Sequence, residues 1–413
     1  MILNNYNTNK RKIINDPVHG FIGVSSDLIF DLISHPYFQR LRRIRQLGLT
    51  HFVYPGATHT RFQHAIGAMH LMQLAIGVIR SKGNDITDIE EEAALAAILL
   101  HDIGHGPFSH TLESSIIPHM THERMSVLLI RDLNRQFRGR LSTAEEVFSG
   151  TCNKKFLHEL VAGQLDMDRM DYLKRDSFYT GVTEGVIGSD RIIKMLNVVD
   201  DHLVVEAKGI YSIEKFLIAR RLMYWQVYYH KTVVAAECLL TMLLKRARQL
   251  VLEGNELFAS PCLKFFLENY TSRGHEMLID NFVNLDDDDI MSAAKVWSRH
   301  DDKILALLAG WFTGRELYRT EFSYTMFPGE RTENIKLKVG SEYGIPADMT
   351  GYFVVCGEIS NYAYKSEDEN IRILYNTGEL ADISEASEML NVSVLSKTIK
   401  KYFLCYPKKI NAI

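Results

Sequence analysis

Apolar residues recur at helical spacing along most of the chain. Thr87 and Glu90 form a capping box that opens a run from Ala93 to Leu100, apolar nearly all round, so the pattern predicts a buried helix. Thr60 and Gln63 open a second helix running to about Gly83, with Gly67, Ala68, Leu71 and Ala75 forming a small-residue stripe beside His64. Further helices are predicted over 26–33, 38–47, 121–129, 164–176 and 212–251. In 38–47, apolar and cationic residues alternate at helical spacing, which leaves Arg40 and Arg43 to reach solvent or phosphate. The four aspartates at 286–289 precede an apolar helix and are read as its N-cap and first turn rather than as a metal tract. Residues 15–20 read as a turn before a short extended segment. From about Lys336 the pattern becomes β-rich, with runs at 352–356 and 371–375 and a turn at Asn376-Thr377-Gly378. The expected fold is mostly α: a helical domain over 1–335, with its candidate site core at about 38–180 and a second site helix at 212–251, followed by a small α+β C-terminal subdomain over 336–413.

Composition narrows the function. With 413 residues and 46% hydrophobic content, the chain can bury a large core. A formal net charge of -4 gives no electrostatic reason to expect nucleic-acid or membrane-surface binding. Five scattered cysteines, never in a C-x-x-C pair, argue against a disulfide framework and a cysteine zinc site. No signal core and no run near the ~18 apolar residues of a membrane span are read, so the expectation is a cytoplasmic protein with a small-molecule ligand.

The densest chemistry lies at the end of the buried helix, in His101-Asp102-Ile103-Gly104-His105-Gly106-Pro107-Phe108-Ser109-His110. A lone His-Asp dipeptide is more often a satisfied core pair than a ligand. Here Gly104, Gly106 and Pro107 pin a tight loop that keeps His105 and His110 beside the pair, and that density of imidazoles points to a metal. His64 alone would be a core histidine, but its stripe lets another helix approach and makes it a further ligand source. Thr121-His122-Glu123 offers an imidazole next to a carboxylate for proton transfer, although such adjacency also arises by chance. Asp168, Tyr172 and Asp176 follow i, i+4, i+8 spacing, either a solvated face or the distant carboxylate that a His/His/Asp set lacks. Arg220, Tyr224, Tyr228 and Lys231 repeat that device and suit phosphates and a sugar, or equally a tyrosine-rich helix interface.

These residues together resemble the HD-domain metal-dependent phosphohydrolases, and most closely their deoxynucleoside triphosphate triphosphohydrolase branch. The resemblance rests on Ile14-Asn15-Asp16-Pro17, Phe38-Gln39-Arg40-Leu41-Arg42, Tyr54-Pro55-Gly56-Ala57, Arg61-Phe62, residues 101–110, Thr121-His122-Glu123, 168–176 and 228–231, over roughly the first 230 residues. It implies an HD-type helical core in which His64, His101, Asp102 and Asp168 hold one divalent ion, with Mg, Mn, Fe, Zn and Ni not distinguished. It implies phosphate contacts from Arg61, His110, Arg169, Tyr172 and Arg220, and proton transfer by His105 and His122 with Glu113 and Glu123 orienting them. Gln46, Leu47, Asp176 and Tyr228 would hold the sugar, and Tyr224 would bear on base preference. Implied partners are a nucleotide substrate, a candidate nucleotide effector, and further copies of the chain in a dimer or tetramer. Branch members that carry a SAM domain use an aspartate in a guanine-selective effector site where this chain has Ser34, so guanine selectivity is expected to be weak or absent. The expected reaction is dNTP hydrolysis to deoxynucleoside and triphosphate. The alternatives are an HD hydrolase of another nucleotide phosphoester, against which the cations Arg61, Arg169 and Arg220 argue, and a nucleotide sensor without activity.

Overall fold

The computed structural model describes residues 12–108, 110–113, 115–117, 120–268, 274–361, 370–387 and 398–410. Its centre is the Arg61–Ser81 helix, which packs against the Asp88–Leu100 and Met167–Thr180 helices. Ala65, Gly67, Ala68 and Ala75 are buried along it, and their small size brings neighbouring backbones close. Both predicted capping boxes form: Gln63 Oε1 accepts from the Thr60 N–H at 2.8 Å, and Glu90 Oε2 from the Thr87 N–H at 2.8 Å. Contrary to the composition reading, the Arg61–Ser81 helix is long and apolar enough, by length and composition only, to cross a membrane. It is also the core helix of this fold, with 67% of its apolar window buried inside the protein.

Residues 15–20 turn between strands β1 (Ile13–Asp16) and β2 (Gly20–Gly23), which pair antiparallel with Asp16 opposite Gly20. The helix expected over 38–47 is not formed. A single turn, Pro36–Gln39, passes into a 3-10 turn, Arg40–Arg43, and the chain then extends through Ile44. Burial explains the difference: Arg40 is fully buried rather than facing solvent, and its guanidinium donates to the carbonyls of Ile103, His105 and Leu285 at 2.9, 2.9 and 3.1 Å. Those loop carbonyls have no helical partners, and one guanidinium satisfies three of them. Arg43 does reach solvent, as expected, and pairs there with Asp286.

The helix expected over 212–251 is two helices. Ile210–Met223 runs into a π-helical turn, Tyr224–Tyr228, and Lys231–Leu252 restarts behind His230, whose Nδ1 accepts from the Thr232 N–H at 3.2 Å. The π turn, in which the Tyr229 N–H donates to the Tyr224 carbonyl, ends the continuous register that i, i+4 counting carries on to Lys231, while Tyr224 and Tyr228 stay side by side with ring centroids 5.1 Å apart.

Beyond residue 300 the chain is interwoven with what precedes it. Strand β5 (Arg319–Ser323) pairs with β9 (Ile399–Tyr406), which also pairs with β6 (Val355–Asn361). A second sheet has the order β3 (Leu196–Val199), β4 (His202–Glu206), β7 (Arg372–Leu374), β8 (Leu380–Asp382), with β4 and β7 parallel. Residue 336 lies inside the Gly329–Tyr343 helix, and both sheets join strands from either side of it. The 352–356 run begins as the end of a 3-10 turn, so its strand starts only at Val355. The fold is mostly helical with small sheets, as the periodicity predicts.

Candidate metal centre and substrate cavity

His64 leaves the second turn of the Arg61–Ser81 helix, His101 caps the end of Asp88–Leu100, and Asp168 sits in the first turn of Met167–Thr180. Their ligand atoms lie within 4.8 Å of one another. His64 Nε2 is 3.0 Å from Asp168 Oδ1 and 3.3 Å from His101 Nε2. Asp102 closes the group, with Oδ1 3.4 Å from His101 Nε2 and Oδ2 3.8 Å from His64 Nε2. Its Oδ2 also accepts from Arg61.

The tautomers follow from the partners on the far side of each ring. His101 Nδ1 faces the Ile98 carbonyl at 2.6 Å, an acceptor only, so Nδ1 carries the hydrogen. His64 Nδ1 faces Asp171 Oδ2 at 2.7 Å and is the donor there too. When both rings are neutral, two Nε2 lone pairs converge at 3.3 Å beside two carboxylates. That arrangement calls for a cation between them, and the residues fit a divalent ion with mixed nitrogen and oxygen ligands. The electrostatics agree. Burial alone would lower the His64 pKa, yet Asp168 and Asp171 outweigh it and hold it at about 10. Burial opposes ionisation of Asp168, but His101 and His64 hold it well below the carboxylate range, and His101, Arg61 and His105 do the same for Asp102.

A buried network stands behind His64. Asp171, fully buried, accepts from His64, from His19 Nε2 at 2.6 Å, and from Arg175 at 2.8 and 3.0 Å. Arg175 reaches on to Asp16 at 2.8 Å, and Asp16 caps its own turn by accepting from the Val18 and His19 N–H groups. Space for this exists because residue 67 is glycine: a Cβ there would lie 2.1 Å from Asp171 Oδ1 and 2.2 Å from Arg175 Nη2. On the other side, a Cβ at Gly104 would lie 2.2 Å from the His122 carbonyl oxygen, so glycine lets the 101–108 loop meet the His122–Gln136 helix. Ser126 stitches that junction, accepting from the Gly104 N–H at 3.0 Å and donating to the His101 carbonyl at 2.9 Å.

His105 and His122 stack with ring centroids 3.9 Å apart and 16° between planes. His105 Nε2 is 3.2 Å from Asp102 Oδ1, and burial together with Arg61 lowers its pKa to about 3, so its ring is neutral. His122 is partly exposed, and its Nε2 lies 3.2 Å from Glu123 Oε1. His110 and Glu113 lie in the short His110–Glu113 helix, with side chains outside the described residues.

A cavity of about 600 Å³ is lined by Gln46, Leu47, Arg61, Tyr172, Asp176, Tyr224 and Tyr228, among others. Arg61 belongs to both this lining and the metal group, through Asp102. Asp176 Oδ2 accepts from the Tyr228 hydroxyl at 2.8 Å, and Oδ1 takes His59 Nε2 at 2.8 Å. Burial raises the Tyr228 pKa strongly, keeping that hydroxyl a donor. Arg169 and Arg220 stand outside the lining. Arg169 folds back on Asp166, the N-cap of its own helix, and Arg220 donates to Gln164 at 3.1 Å, although both charges act on the Tyr172 hydroxyl. Sequence reasoning missed Asp171, Arg175, His19 and His59. The i, i+4 pairing of Asp171 with Arg175, on the face adjoining Asp168, was the available signal for two of them.

Residues 61–176 match the HD domain, and residues 187–265 match the HD associated region. The chain belongs to the HD-domain phosphohydrolase family. Among solved structures, it is similar to a phosphohydrolase from Bacteroides thetaiotaomicron at 53% identity and a TM-score of 0.93, covering 96% of this chain and 100% of that one. An uncharacterized protein of Bacillus subtilis is 32% identical over 97% of this chain and 93% of its own length. The deoxynucleoside triphosphate triphosphohydrolase SAMHD1 homologue of Dictyostelium discoideum is 33% identical over 60% of this chain, which covers 51% of that relative.

Proposed function

We propose that the protein hydrolyses deoxynucleoside triphosphates to deoxynucleosides and inorganic triphosphate, using one divalent ion held by His64, His101, Asp102 and Asp168. The observation that carries this reading is Arg61, which lines the tyrosine-rich cavity and holds Asp102 of the metal group, so that a phosphate bound by Arg61 lies beside the ion. The bound ion would supply charge neutralisation on the phosphate and a nucleophile at neutral pH. Water adds to the α-phosphorus, the bond to the 5′-oxygen breaks, and the leaving oxygen needs a proton. His122, stacked on His105 and paired with Glu123, is assigned that proton. His105, held neutral, serves as the platform and as Asp102's partner. Asp176 and Gln46 would read the 3′-hydroxyl, and Tyr228, fixed by Asp176, would close the C2′ edge against an added hydroxyl.

One observation favours a second reading, hydrolysis of a nucleotide with fewer phosphates: of Arg61, Arg169 and Arg220, Arg61 alone lines the cavity. Product chromatography on purified protein with each dNTP, each deoxynucleoside monophosphate and a panel of divalent metals separates the two. Release of inorganic triphosphate supports the first reading; orthophosphate, pyrophosphate, or turnover restricted to monophosphates supports the second and overturns the first.

A further inference from the structure

The aspartates at 286–289 lie outside both matched family regions, yet one of them reaches the site. Asp286 does what the sequence predicts: it N-caps Asp287–Trp297, accepting from the Asp288 N–H at 3.0 Å. Asp287 does something different. It is 3% exposed, and its two oxygens take backbone N–H groups from two segments distant in sequence, Oδ1 from Phe108 and Oδ2 from Arg45, both at 3.0 Å.

Each of those amides stands at a sensitive place. Phe108 ends the loop that carries His101, Asp102 and His105, and its φ of +50° is a left-handed conformation that a phenylalanine holds only when its surroundings impose it. Arg45 directly precedes Gln46 and Leu47 of the cavity wall. It forms a bridge with Thr60, next to Arg61, and the Gln46 N–H donates to the His59 carbonyl at 3.0 Å. We infer that Asp287 is a positioning residue: it locks the exit of the metal loop to the cavity wall, fixing the spacing between the metal ligands and the groups that contact substrate. Only an ionised carboxylate fits the position, because both its oxygens are acceptors. An asparagine, or a protonated carboxyl, turns one donor towards an N–H.

The charged groups facing Asp287 are Arg45, whose Nη1 lies 3.7 Å from Oδ2, Asp286, itself paired with Arg43, and the buried Arg40. Burial outweighs Arg45 and the two amides and lifts the Asp287 pKa to about 6. The lock is therefore complete above that pH and opens as pH falls through it.

The inference rests on hydrolysis at this site, so its test includes a readout that needs no turnover. The experiment compares the metal-loaded wild type with Asp287→Asn and Asp286→Asn, measuring kcat and KM for a hydrolysed dNTP across pH 5–8, and amide hydrogen exchange at Phe108 and Arg45. Asp287→Asn should lower kcat ~10- to 100-fold, the range for lost outer-shell partners, and speed exchange at both amides at least tenfold. It should also lack the acid limb near pH 6 that is expected of the wild type. Asp286→Asn, which keeps a carbonyl to cap the helix and loses only the Arg43 ion pair, should keep kcat and the protection of both amides. Unchanged kcat and exchange in Asp287→Asn, or equal loss in both variants, overturns the inference. If Asp287→Asn does not fold, exchange in the wild type decides: protection at Phe108 and Arg45 that is lost below about pH 6 supports the lock, and protection independent of pH refutes it. Absence of dNTP turnover in the wild type counts against the proposed function alone, since the exchange measurement stands without it.

Discussion

Gly67→Ala adds one methyl group where the Arg61–Ser81 helix meets Met167–Thr180. The added Cβ would lie 2.1 Å from Asp171 Oδ1, 2.2 Å from Arg175 Nη2 and 2.9 Å from Asp171 Cγ. Non-bonded carbon contacts settle near ~3.5–4 Å, so the carboxylate must move by more than about 1 Å. It is then too far to keep both its 2.7 Å bond to His64 and its 2.6 Å bond to His19. Alanine in place of glycine favours a helix by ~1 kcal/mol. Overpacking costs ~1–3 kcal/mol and one lost charged hydrogen bond another ~1.5–3, leaving a net loss of roughly 1.5–5 kcal/mol. Metal affinity should fall ~10- to 100-fold, because His64 loses the partner that fixes its tautomer. Gly77→Ala on the same helix is the control: nothing lies within 4 Å of its Cβ, so it should stabilise by up to ~1 kcal/mol and leave metal binding alone. Urea midpoints and titration with Mn²⁺ measure both quantities. If the two alanine variants were equally stable and bound Mn²⁺ equally, the Asp171 network would have no part in the metal centre.

His122→Ala should retain the metal and bind dNTP yet lose kcat by ~10²-fold or more; near-normal kcat would reassign the ring to structure. The unmodified protein should favour dATP over ATP by at least roughly tenfold in kcat/KM, since a buried hydroxyl without a partner costs ~1–3 kcal/mol, and Tyr228→Ala should narrow that gap. Equal use of dATP and ATP by the unmodified protein would remove the sugar gate. Asp302 N-caps Lys303–Gly314 and accepts from Arg246 at 3.1 and 2.6 Å; burial opposes its ionisation, but Arg246 and the Leu305 N–H hold its pKa below the ordinary value. A depressed folded pKa gives stability that is present above about pH 4 and lost as pH falls below it. Asp302→Asn should therefore lower the neutral-pH melting temperature and flatten the acid part of the stability curve; an unchanged acid slope would contradict this.

Most helices, their caps and the candidate cluster of His64, His101 and Asp168 were legible because they depend on local signals. Thr60-Gln63 and Thr87-Glu90 are self-contained, and His64, His101 and Asp168 lie at helix termini or first turns that periodicity locates. What was not legible depends on partners distant in sequence. Arg40 reads as a surface cation until the carbonyls of Ile103, His105 and Leu285 surround it. Asp287 reads as a first-turn carboxylate until the Phe108 and Arg45 amides meet it. Counting by four places 220, 224 and 228 on one side, and Tyr224 and Tyr228 do share the cavity, but the turn of Arg220 to Gln164 depends on a partner that the spacing does not reveal.

In the proposed reaction this centre directs water to the α-phosphorus and breaks its bond to the 5′-oxygen. Hydrolysis of dGTP in ¹⁸O-water, followed by mass spectrometry of the separated products, tests it most directly. One ¹⁸O is expected in inorganic triphosphate and none in deoxyguanosine. Label in the deoxynucleoside, or in orthophosphate or pyrophosphate released as the first product, would contradict it.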